Sequence, residues 1–193
     1  YRQLAAQDAE ILSLHISSGL SGTLDSARAG AEMTPEAKVT FWDTKTLGCP
    51  EGWQVEAAAR ALAANWPLER IFRRLDEIRR ATLEMFTLDT LRYLIHGGRI
   101  SHMKGLIASL LHIRPVITVD LESGKYANLA QERTMKKAVE KMVDLAQKTY
   151  TAGSELRVQL MHGNNPDMLA YMKALLDSAY HCHWLPAVSV API

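Results

Sequence analysis

At 193 residues the chain fits one large domain or two small ones, and 48% hydrophobic with 22% charged residues is ordinary globular usage. Its 22 basic and 21 acidic residues leave a net charge of +1, which gives no electrostatic footprint for nucleic acid or an anionic membrane. No apolar run approaches the ~20 residues that span a bilayer. Two cysteines, Cys49 and Cys182, with no signal peptide ahead of them, point to a reducing cytoplasm rather than a disulfide framework.

Tyr1-Arg2-Gln3-Leu4 reads as the middle of a helix and Val190-Ala191-Pro192-Ile193 as a strand running into a loop, so the expectation is a fragment of a longer protein. The apolar run Ile11 to Ile16 predicts a strand that ends in Ser17-Ser18-Gly19-Leu20-Ser21-Gly22-Thr23, and a helix follows through about Glu32. Strand, turn, helix is the start of an α/β unit. Val39 to Asp43 predicts the next strand, residues around Gly48 and Pro50 a loop, and Trp53 to Ala64 a helix. Pro67 in a first turn opens another helix, whose stripe is Leu68, Ile71, Phe72, Leu75 and Ile78. Its basic cluster (Arg70, Arg73, Arg74, Arg79, Arg80) reads as a solvated face.

Leu83 to Leu88 predicts a strand, and Asp89-Thr90 a cap for a helix over Leu91 to Ile95. A composition shift follows at Gly97-Gly98, and the domain junction is placed near residues 79–82, just before the strand over Leu83 to Leu88. Pro115 to Leu121 and Lys125 to Ala130 predict a hairpin turning at Glu122-Ser123-Gly124. Met135, Ala138, Val139, Met142, Leu145 and Ala146 make a helical stripe. A strand over Leu156 to Met161, a helix over Pro166 to Ala179 with Leu169, Met172, Leu175 and Leu176 inward, and a strand over His183 to Val190 complete the chain.

The most informative stretch is the turn Ser17 to Thr23. A turn leaving a strand and opening a helix offers backbone N–H groups and the positive end of the helix dipole. Gly19 and Gly22 permit close approach, and Ser17, Ser18, Ser21 and Thr23 add hydroxyls, an anion cradle without a cationic side chain. No Lys follows the glycines, so this is not a Walker loop, and the spacing is half of a dinucleotide fingerprint. A bare helix cap is the plain alternative.

His15-Ile16-Ser17-Ser18-Gly19-Leu20-Ser21-Gly22-Thr23 resembles the signature loop of the DegV family. Asp89 to Ser101, with Gly97-Gly98-Arg99-Ile100-Ser101, is similar to that family's Leu-x-x-Leu, Gly-Gly-Arg-Ile-Ser segment, and the likeness runs on through Leu110 to Ile117 and Arg133 to Ala138. The resemblance implies an α/β protein of two domains, a Rossmann-like α/β/α first domain of which residues 1–80 are the C-terminal part, and a smaller α/β domain over 81–193, incomplete at its end. It further implies a long-chain fatty acid, palmitate-like or oleate-like, held by its carboxylate in the crevice between the domains. The chain would be the binding subunit of a fatty acid kinase and do no covalent chemistry itself. Carried over by position, Ser17, Ser18 and Gly19 would meet the carboxylate, Arg99 would face the domain cleft or a partner, and Arg133 would meet the phosphate or the kinase. Met103, Leu106, Ile107, Leu110, Leu111 and Ile113 would line the tail's tunnel. The family's upstream Thr-Ser-Gln-Pro segment and its downstream His with a Gly-Pro-Gly turn have no counterpart here. No cofactor or metal is implied.

Two readings compete with it. Gly19-Leu20-Ser21-Gly22-Thr23 approaches a hydrolase nucleophile elbow, although Thr23 stands where the last Gly belongs. A Ser21 hydrolase would draw its base from His15, His96, His102, His112 or His162. His181 and His183 flank Cys182 on one strand, too few ligands for zinc. The methionines (Met33, Met85, Met103, Met135, Met142, Met161, Met168, Met172) read as fillers of an apolar interior, and Lys136 and Lys137 as a solvated face.

Overall fold

A computed structural model of the chain describes residues 1–7, 10–99 and 113–189. It divides into two units, Tyr1–Glu84 with Val119–Ala127, and Met85–Thr118 with Asn128–Ile193. The tip of one hairpin thus belongs to the first unit.

In that first unit a short helix α1 (Arg2–Ala5) precedes strand β1 (Glu10–His15), helix α2 (Thr23–Glu32) and strand β2 (Lys38–Asp43). The strands run parallel, from Glu10 opposite Lys38 to His15 opposite Asp43, as a helical crossover allows. Helices α3 (Gly48–Ala63) and α4 (Leu68–Ala81) follow. Ala58, Ala61, Ile71 and Leu75 form the core here, with Leu12, Leu14, Trp42 and Phe72 packed against it. The Trp42 and Phe72 rings stack at 5.2 Å. Trp42 Nε1 donates to Oε1 of the wholly buried Gln54 at 2.8 Å, and the Gln54 amide donates to Thr44 O and Thr46 Oγ1. A buried amide is tolerated because it is satisfied in this way.

Two boundaries differ from the sequence reading. Helix α3 begins at Gly48, so Gly48 and Pro50 lie inside it rather than in a loop. A first-turn N–H has no helical acceptor, so proline costs little there. Pro67 is the residue before α4, extended with ψ 147°, not part of its first turn. On α4 the cations are paired: Arg73 with Glu69, Arg74 with Glu77, and both Arg79 and Arg80 with Asp76. Arg70 lies 3.5 Å over the Trp66 ring.

The second unit holds a sheet in the order β3 (Phe86–Thr87), β4 (Arg114–Val119), β5 (Tyr126–Glu132), with helix α5 (Arg92–His96) between β3 and β4 in the chain. Strand β3 is two residues long, not six. Thr90 Oγ1 accepts from Arg92 N at 3.2 Å at the start of α5, while Asp89 pairs with Arg114 at 2.7 Å. Helix α6 (Met135–Thr149) is capped by Thr134, whose side chain accepts from Lys137 N. Its buried stripe is Ala138, Val139, Met142, Val143 and Ala146. Val116, Ala138 and Met142 form the core, joined by Met85, Ala130, Leu145 and Met172. Met33 and Met161 depart from the interior role expected of methionine, at 71% and 44% exposure.

The strand expected over 156–161 is two, β6 (Glu155–Val158) and β7 (Met161–His162), and the last strand is likewise β8 (His181–Trp184) and β9 (Val188–Ser189). Helix α7 (Pro166–Ala179) lies between the pairs in sequence, with Leu176 buried. Strand β6 pairs in parallel with β8, and β7 with β9. Pro186 falls at the break, where it lacks the ladder donor, and its carbonyl accepts from Gln159 Nε2 at 3.1 Å instead. No helix among the described residues is long and apolar enough to cross a membrane.

Candidate functional site

Strand β1 hands the chain to the Ser/Gly turn when Ser17 N donates to Thr46 O at 2.9 Å. The turn then closes on itself: Ser17 O accepts from Leu20 N at 3.0 Å and from Ser21 N at 3.1 Å, and Gly19 N donates to Ser17 Oγ at 3.2 Å. Thr23 N, at the start of α2, donates to Ser21 Oγ at 3.3 Å. The amides expected to stand open are therefore largely engaged inside the unit.

Ser17 is wholly buried and its hydroxyl donates to Gly124 O at 2.6 Å. Gly124 sits in the hairpin turn, at φ 67°, and that turn is pinned by Asp120 Oδ1, which accepts from Ser123 N and Oγ. A β-carbon on Gly19 would stand 2.5 Å from Gly124 O and 2.7 Å from Ser123 O. The glycine at 19 is thus demanded by a close backbone approach.

Ser18 is exposed, and its donors meet a carboxylate that belongs to the chain. Ser18 Oγ donates to Asp43 Oδ2 at 2.5 Å and Ser18 N to Asp43 Oδ1 at 3.2 Å. Lys45 N donates to Asp43 Oδ1 at 3.0 Å, and Lys45 Nζ is 3.6 Å from Oδ2. Burial pushes the Asp43 carboxyl up, but the Ser18 hydroxyl, the two amides and the Lys45 charge outweigh it and hold the group below the usual carboxylate range. The turn is an anion cradle, and Asp43 is in it. The sequence reading missed Asp43; its signal was a position at the carboxyl end of a strand beside the turn, where open α/β sheets bind ligands.

Ser21 Oγ lies 2.6 Å from Thr23 Oγ1, and His15 Nε2 bonds Ser13 Oγ at 2.8 Å, which in turn meets Tyr1 OH at 2.9 Å. Neither hydrogen bond joins Ser21 to a histidine. Burial lowers the His15 pKa, with Asp43 pulling the other way and Arg28 adding to the lowering.

Arg99 and Arg133 lie in the second unit. Arg99 is exposed and its guanidinium turns back to donate to Gly97 O at 2.5 Å. Arg133 is exposed between β5 and α6. Of the expected tunnel residues, Ile113 is half-buried, while Met103, Leu106, Ile107, Leu110 and Leu111 lie outside the described residues. His181 and His183 share the exposed face of β8, with His183 Nε2 3.7 Å from Glu155. Among the described residues no three metal-ligating side chains gather.

A family model described as an uncharacterised protein of the DegV family matches residues 1–193. The chain belongs to the DegV family. A DegV domain-containing protein of Deinococcus radiodurans is 30% identical over 184 residues, 95% of this chain and 64% of its own length. The DegV-family chain spans about two thirds or less of the curated relatives it matches. A Thermus thermophilus DegV-family structure described for its fatty acid binding superposes with a TM-score of 0.79 at 28% identity, over 99% of this chain and 67% of that one. The Bacillus subtilis DegV structure, described as a fatty acid binding protein, gives 0.80 at 25%, over 97% and 69%. The α/β fold read from the sequence is the fold of these DegV proteins.

Proposed function

We propose that this chain binds a long-chain fatty acid by its carboxylate at the Ser17–Thr23 turn and carries it without covalent chemistry. The observation that supports it is chemical: the turn's donors already hold a carboxylate, that of Asp43. Charge-assisted bonds of this kind are the strong ones. The B. subtilis and T. thermophilus relatives are described as binding fatty acids, and each buried methylene of a tail adds ~0.8 kcal/mol.

Ser18 is the better placed of the two serines, being exposed where Ser17 is enclosed. Gly19 supplies the neighbouring amide, and Ser17 braces the turn. Arg99 and Arg133, both exposed, are assigned to a phosphate or a partner. Presentation to a fatty acid kinase, and a cytoplasmic setting in which Cys49 and Cys182 stay free thiols, extend the same reading.

Lipid extraction of the purified chain followed by mass spectrometry is expected to yield a saturated or monounsaturated fatty acid. In a calorimetric titration with palmitate, Ser17→Ala with Ser18→Ala should weaken binding by roughly tenfold or more, the loss of one to two hydrogen bonds to a charged group, with the circular dichroism spectrum unchanged. Unaltered affinity in the double variant would sink the assignment of the turn.

A further inference from the structure

We propose that Asp43 is an internal competitor for the fatty acid head group, which must give up Ser18 before a ligand carboxylate can take it. The inference rests on the reading of the turn as a carboxylate site.

A hydroxyl donates one proton. With the Ser18 proton on Asp43 Oδ2 at 2.5 Å, that donor is closed to a second carboxylate, which would also face a like charge. The contact is exchangeable on one side only. Ser17 is wholly enclosed and bonded to Gly124, whereas Ser18 is exposed, and Asp43 has other partners to fall back on in Lys45 N and the Lys45 ammonium. Giving up Ser18 therefore leaves Asp43 satisfied. The competition also selects: an uncharged alcohol or ester head group would not meet the Asp43 charge as a rival anion.

In Asp43→Asn the remaining oxygen keeps accepting from the Ser18 and Lys45 amides, while the new NH2 group turns the Ser18 proton outward. Calorimetry of the whole chain should show palmitate bound about two- to fivefold more tightly by D43N, with hexadecanol unchanged. The gain should vanish in the background of Ser18→Ala, which separates competition for that hydroxyl from general removal of negative charge. Should D43N not fold, the carbon-13 resonance of the Asp43 carboxylate in the unsubstituted chain should shift when palmitate is added. Palmitate bound equally or more weakly by D43N, a gain that persists without Ser18, or an unmoved resonance overturns the competitor role and leaves the carrier reading standing. Failure of both the unsubstituted chain and D43N to bind palmitate overturns both.

Discussion

At Gly19 a methyl group would meet two backbone carbonyls of the hairpin turn, neither of which can rotate away. Gly19→Ala is therefore expected to destabilise the protein by about 1–3 kcal/mol, as overpacking does, measurable by urea unfolding; a neutral substitution would mean that the turn and the hairpin part readily. Glu84 carries a prediction of the opposite sign. Burial raises its carboxyl from 4.5 to about 7, against the pull of the Leu47 amide and with some help from Glu51. A carboxyl with a raised folded pKa binds more protons folded than unfolded between those values, so stability falls as pH climbs through the window and the loss is complete above it. Glu84→Gln should raise Tm by a few degrees near pH ~8 and leave it unchanged near pH ~4, where both states are protonated. Equal shifts at the two pH values would refute the assignment. Ser17, Ser18 and Gly19 drew attention in the sequence because small residues and hydroxyls clustered between a strand and a helix. Their partners did not, since Gly124 is an ordinary hairpin glycine and Asp43 an ordinary strand-end acid until the chain is folded.

Among the elements, those with a long apolar period were legible from that period. Helix α4 declared itself through Ile71 and Leu75, both essentially inaccessible, and α6 through Ala138, Val139 and Met142. Ile71→Ala should cost about 2–5 kcal/mol by the cavity it leaves, and Thr134→Ala about 1 kcal/mol by loss of the α6 cap; thermal unfolding of the two variants should rank them in that order. The start of α3 escaped because Gly48 and Pro50 read as helix breakers, and only their first-turn position excuses them. The division of each late strand in two escaped for a different reason. Hydropathy runs on through Leu156 to Met161, while the ladder stops at a partner, Pro186, that lies far along the chain.

Over the whole molecule, α/β alternation announced the fold class, but the inclusion of residues 119–127 with the first unit was not readable, because it depends on one turn meeting another through the Ser17 hydroxyl and the close approach of Gly19 to Gly124. That mutual engagement shapes the energetics proposed for loading. The turn leaves few donors idle: its amides serve Ser17, Ser21, Asp43 and Thr46, and both hydroxyls at 17 and 18 are in use. Accepting a head group then swaps one set of hydrogen bonds for another, and the net gain at that end is small. The larger share of the affinity is then carried by the hydrocarbon. Across laurate, myristate and palmitate, the dissociation constant should fall about fourfold for every added methylene, a ladder steep enough for chain length to determine which of several fatty acids stays aboard.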